Sequence, residues 1–235
     1  MSEEYTVIFS KDSNDYYKYR LLMENNLNVF QWSEENQIQY NDLYETFVNT
    51  TGKPKSEVSD EEKGKSLEDI VEFLFSKTSI FQYIRNHRTG DFELDIILKL
   101  SNRGIAFKDY ISIAKKTSSH LIGECKNYKK PLSITYTGKF YSLLDRYNLK
   151  LGIIFSYHGL AGSDECKGWT AASGFTKKMY LKNDVIILDF NQIHFNMIRN
   201  GKSFIDVLNG LMEKTIFDID DELNYIQHED IGTLI

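Results

Sequence analysis

The chain has 235 residues, 41% hydrophobic and 14% aromatic, which suits one domain with a sizeable core plus a small appendage and excludes a disordered chain. Its net charge of −6 argues against a protein that coats nucleic acid by bulk charge, yet leaves room for an acidic site that holds a metal ion. The two cysteines, Cys125 and Cys166, give neither a disulfide framework nor zinc-ligand spacing. No apolar run reaches the ~18 residues that span a bilayer, so no membrane partner is expected. Met1-Ser2-Glu3-Glu4 lacks the basic and apolar parts of a secretion signal, and the expected location is the cytoplasm.

In chain order, Tyr5–Phe9 reads as a short strand, and Asp15–Asn25 and Asn41–Val48 as helices. Residues 49–65 are rich in Gly, Pro, Ser and charge and read as a linker, which puts a boundary at 62/63 between an N-terminal extension and the main domain, 63–235. Leu67, Ile70, Val71 and Leu74 follow helical spacing, with Ser66 as the expected N-cap. Phe81–Arg85 and Phe92–Leu98 read as strands of a hairpin around the turn-rich stretch Asn86–Asp91. Residues 101–118 form an irregular or helical insertion, and His120–Lys126 is the next strand.

Ile134–Tyr147 reads as a helix, Leu151–Ser156 as a buried strand, Trp169–Leu181 as a helix and Val185–Phe190 as a further strand. Ile193–Ile198 and Phe204–Met212 are expected helices, followed by an acidic tail that includes Asp218, Asp220, Asp221 and Glu222. Three strands in a meander, then strands alternating with helices, imply an α/β fold: a central mixed sheet of about five strands with helices on both faces.

The chemistry concentrates in Gly123-Glu124-Cys125-Lys126. Residues two apart on a strand share a face, so Glu124 and Lys126 point together while Cys125 points away. Asp95, on the preceding strand, supplies a second carboxylate. Two carboxylates suit a hard divalent cation, and an ammonium beside them suits phosphodiester hydrolysis. A bare Glu-x-Lys is a weak pattern; its order after a strand Asp and a helix Glu is more specific. Basic residues cluster around and after it, at Lys126, Lys129, Lys130, Lys139, Arg146 and Lys150.

From Lys63 to about Leu188 the chain resembles the PD-(D/E)xK nuclease superfamily, in its restriction-endonuclease-like, Mrr-type branch. The resemblance rests on Lys63–Val71 of the helix, Gly90–Ile96 of the second strand and Gly123–Tyr128 of the third, with Leu151–Ser156 and Gly159 behind them. It implies a restriction-endonuclease-like core and an Mg2+-dependent endonuclease acting on DNA, with Mn2+ able to substitute. Its setting would be restriction or anti-phage defence, as a homodimer or a subunit of a larger defence complex.

By the same resemblance Asp95 and Glu124 bind the metal with the backbone carbonyl of Cys125, Lys126 holds the attacking water or neutralises developing charge, and Glu68 supports the site from the helix. Glu72 is the rival for that helical role. Lys129, Lys130, Lys139 and His158 are candidate contacts to the nucleic acid. The alternative is a non-catalytic subunit that keeps the nuclease fold and acts in complex assembly or nucleic-acid binding.

Overall fold

A computed structural model describes residues 31–88, 93–109, 111–117, 120–162 and 171–219. The expected strand Tyr5–Phe9, the expected helix Asp15–Asn25, Cys166 and the acidic tail from Asp220 onward lie outside the described residues.

The described chain opens with two helices, α1 (Glu34–Gly52) and α2 (Asp60–Thr78). The hairpin strands β1 (Phe81–Arg88) and β2 (Glu93–Leu100) follow, then two short helices, α3 (Asn102–Ala106) and α4 (Ser112–Lys116). After β3 (His120–Lys126) the chain alternates: α5 (Ile134–Arg146), β4 (Leu151–Ser156), α6 (Ala172–Asn183), β5 (Ile186–Phe190). It ends in α7 (Gln192–Arg199) and α8 (Phe204–Phe217).

The strands form one five-stranded sheet in the order β1-β2-β3-β4-β5. β1, β2 and β3 pair antiparallel, whereas β3, β4 and β5 pair parallel through the α5 and α6 crossovers, because parallel neighbours need a long connection. The α/β class and the mixed sheet flanked by helices therefore match the sequence reading. One face of the sheet packs against α1, α2, α7 and α8 in the larger core, which includes Phe47, Leu74, Leu121, Phe155, Phe195 and Phe204. The other face packs Ile122, Ile154 and Ile187 against Phe140 and Leu144 of α5. All six residues of β4 are buried, which is why its sequence is apolar without alternation.

α5 lies close on β4 because Gly152 has no side chain. A Cβ there would stand 2.7 Å from the Phe140 ring and 2.9 Å from Leu144.

Two expectations about the N-terminal third need correction. The linker expected over 49–65 contains the first turn of α2, so the boundary at 62/63 falls inside a helix. Ser66 is not the N-cap. Ser59 is, in a capping box: the Glu62 amide donates to Ser59 Oγ at 3.1 Å and the Ser59 amide donates to Glu62 Oε2 at 2.8 Å. Ser66 is buried about two turns further in, donating to the Lys63 carbonyl and paired with the Thr50 hydroxyl. The run Asp60-Glu61-Glu62 reads as solvated linker charge but serves as the acidic first turn of a helix, favoured by the helix dipole. α1 is also longer than its expected span and buries Tyr40, Tyr44 and Phe47 in the larger core.

Candidate active site

The β2–β3 ladder stops at Ile96↔Gly123. Past that pair, the Cys125 amide donates to Asp95 Oδ2 at 2.7 Å, so a side-chain carboxylate takes over from the backbone acceptor. Lys126 Nζ donates to the same Oδ2 at 3.1 Å and lies 2.8 Å from Glu124 Oε1. Asp95, Glu124 and Lys126 thus converge, with side-chain exposures of 13%, 20% and 26%: shielded, yet reachable from solvent. Glu124 and Lys126 also line a cleft of about 210 Å³ with Leu132, Tyr136, Lys139 and Ile154. Cys125 packs into the larger core on the opposite face, as alternation requires, and burial pushes its thiol pKa well up, which removes it as a nucleophile.

Burial and the nearby Asp95 hold the Glu124 carboxyl above the usual glutamate range, and Lys126 only partly opposes them. Burial by itself would lower the Lys126 pKa, but Glu124 and Asp95 outweigh it and hold the amine above the usual lysine range. Two carboxylates against one ammonium leave a net negative charge in a partly buried cleft. That charge and the all-oxygen donors fit a hard divalent cation which keeps several of its waters. Among the described residues no three His, Cys, Asp and Glu side chains gather as a metal site. Asp95 and Glu124 are the two side chains here that could hold a cation.

The structure does not bring Glu68 into this cluster. Arg85 of β1 takes it instead, with Nη2 donating to Glu68 Oε2 at 2.7 Å, while Nη1 reaches Asp69 at 3.2 Å and Glu72 at 2.5 Å. Tyr83 donates to Glu72 from the same strand at 2.8 Å. Glu68 stays close enough to Cys125 for its charge to help raise that thiol's pKa, and so it flanks the site from the α2 face. The sequence reading missed Arg85. The only signal was an arginine within a strand that follows a helix carrying acids at 68, 69 and 72.

Lys129 and Lys130 are exposed in the loop after β3. Lys139 is exposed on α5 and lines the cleft with Glu124 and Lys126. His158 is exposed in the loop after β4, its ring 4.9 Å from that of Tyr157. Sequence reasoning also missed Asn127, which donates to Thr51 Oγ1 at 2.8 Å and to the Lys63 carbonyl at 2.9 Å. These bonds fasten the end of β3, where the cluster sits, to the α1–α2 pair.

No family model, curated protein or solved structure matches the chain. Fold and site define it as an α/β protein with a five-stranded mixed sheet flanked by helices, carrying an Asp-Glu-Lys cluster where β2 and β3 part. Among the described residues no helix is long and apolar enough to cross a membrane.

Proposed function

We propose that the chain is a divalent-metal-dependent nuclease of the PD-(D/E)xK type that hydrolyses phosphodiester bonds of DNA. The observation that carries this reading is the convergence of Asp95 and Glu124 on Lys126, at 3.1 and 2.8 Å, in a cleft that Lys139 also lines. The sequence order of helix Glu, strand Asp and Glu-x-Lys supports it.

An Mg2+ or Mn2+ ion held by Asp95, Glu124 and the Cys125 carbonyl would supply Lewis acidity and a more acidic water. Lys126, fixed between the two carboxylates, orients the attacking water and stabilises negative charge building on the phosphoryl oxygens. A P–O bond to the water oxygen forms as the P–O bond to the leaving sugar oxygen breaks; the attacking water gives up a proton to solvent and the leaving oxygen takes one up from it. Lys129, Lys130, Lys139 and His158 hold flanking phosphates. Cutting both strands of a duplex needs a second cluster or a second event, which favours a homodimer or a subunit of a larger assembly. A role in restriction or anti-phage defence follows from the resemblance.

The test is incubation with plasmid, linear duplex, single-stranded DNA and RNA in Mg2+ or Mn2+, with Lys126→Ala as the control. Metal-dependent cleavage of DNA that Lys126→Ala abolishes is expected; cleavage that survives the substitution overturns the mechanism.

One observation favours the non-catalytic reading: Arg85 holds Glu68, so a third carboxylate does not join the cluster. Calorimetric titration with Mn2+ separates the two. A nuclease binds the ion weakly and loses it in Asp95→Ala, whereas an assembly subunit gives no heat with either protein.

A further inference from the structure

Beside the carboxylate cluster stand two tyrosines that the catalytic reading leaves unused. Tyr128 lies two residues past Lys126, and Tyr136 sits in the first turn of α5, lining the cleft with Glu124 and Lys126. Their ring centroids are 5.1 Å apart and the planes are tilted by 46°. The adjacent Tyr136 hydroxyl, and then burial, push the Tyr128 pKa up. Lys139 lies 5.8 Å from the Tyr136 ring centre, at the range of a cation–π contact.

Two aromatic pairs of the larger core, Phe75 with Phe155 and Phe190 with Phe195, are almost wholly covered. Tyr128 and Tyr136 are 42% and 38% exposed. A solvent-facing pair of aromatic rings next to the carboxylate cluster and to the exposed lysines 129, 130 and 139 has the parts of a single-strand binding surface. Such surfaces combine ring faces for bases with cations for the backbone. The rings already touch, so a base stacks on an outward face and does not enter between them. Bases in a duplex have both faces covered and cannot make that contact.

We propose that Tyr128 and Tyr136 form a stacking platform for an unpaired nucleobase, directing the cluster to single-stranded or frayed nucleic acid. The proposal deepens the nuclease reading and rests on it for the cleavage step. The platform reads the face of a base, a feature that DNA and RNA share, so it confers a preference for strandedness and none for sequence.

The experiment measures binding apart from cleavage. A single-stranded oligodeoxynucleotide carrying 2-aminopurine, its duplex form and a single-stranded RNA are each titrated in EDTA, so that nothing is cut. The proteins are the wild type, Tyr136→Leu, the Tyr128→Leu/Tyr136→Leu pair and Tyr128→Phe/Tyr136→Phe, each checked by circular dichroism. The wild type is expected to quench the 2-aminopurine. The leucine pair should weaken single-strand binding by about tenfold with duplex affinity unchanged, and the phenylalanine pair should restore most of the loss.

The same loss with the RNA strand extends the platform to RNA. Equal losses on single strand and duplex, no loss at all, or no single-strand binding by the wild type overturn the proposal. The nuclease reading is judged separately, by cleavage in Mg2+ with Lys126→Ala. A protein that stacks the base but never cuts sinks that reading and leaves the platform standing.

Discussion

Asp95 has two tasks that one substitution can separate. Its carboxylate supplies charge to the cluster, and one of its oxygens accepts the Cys125 amide at 2.7 Å. Asp95→Asn keeps an acceptor oxygen and removes the charge; Asp95→Ala removes both and leaves a part-buried donor unpaired, at about 1–3 kcal/mol. Both variants should lose divalent-ion binding and cleavage, but only the alanine variant should show the drop in urea-unfolding stability. Equal stability in the two would mean that the carboxylate does not hold the end of β3.

Glu124 sets a pH dependence of definite sign. Its folded-state pKa is raised, by burial and then by Asp95, so the folded protein binds this proton more tightly than the unfolded chain does. In the absence of metal, stability therefore falls as pH climbs from the ordinary glutamate value of 4.5 through the raised value, and levels off above it. Glu124→Gln should flatten that limb, and Mg2+ should shrink it by compensating the two carboxylates. Lys126 acts at the other end: its raised pKa contributes stability present below the ordinary lysine value of 10.5 and lost as pH rises through the folded-state value. Urea midpoints measured in EDTA and in Mg2+, from acid to alkaline pH, read both limbs.

Among the elements, α2 and α5 fix the flanks of the site by different means. α2 starts at its Ser59–Glu62 capping box, and Ser59→Ala should cost about 1 kcal/mol in thermal or urea unfolding. α5 depends on Gly152. An added methyl meets the buried Phe140 ring at 2.7 Å, so Gly152→Ala should cost about 1–3 kcal/mol by overpacking and should disturb the cleft at Tyr136 and Lys139.

These elements also show where the sequence was legible. β3 and β4 run over the residues expected of them, because buried strands announce themselves as apolar runs between polar breaks. Asp95, Glu124 and Lys126 come together because antiparallel pairing of neighbouring strands and alternation along β3 constrain them strongly. The start of α2 was hidden because acids in a first helical turn have the composition of a linker. The partner of Glu68 was hidden because Arg85 lies 17 residues away on another element, and no local period links the two.

At the scale of the whole molecule the question is whether α1 stands apart from the sheet or folds with it. Tyr40, Tyr44 and Phe47 recur at helical spacing within an otherwise polar segment, and all three are buried in the larger core. The Tyr40 hydroxyl donates to the Phe195 carbonyl of α7 at 2.7 Å, joining residues 155 apart in sequence. Asn127 ties the end of β3 that carries Glu124 and Lys126 to Thr51 at the end of α1, so the position of this helix bears on the cluster as well as on the core. α1 and the sheet should therefore unfold in one transition, with matching calorimetric and van't Hoff enthalpies. Tyr40→Phe removes only the hydroxyl bond and should cost about 0.5–1.5 kcal/mol. Tyr40→Ala should cost about 3–5 kcal/mol, lowering the midpoint of that single transition. If α1 were an independent extension, Tyr40→Ala would split off or abolish a small early transition and leave the main one where it was.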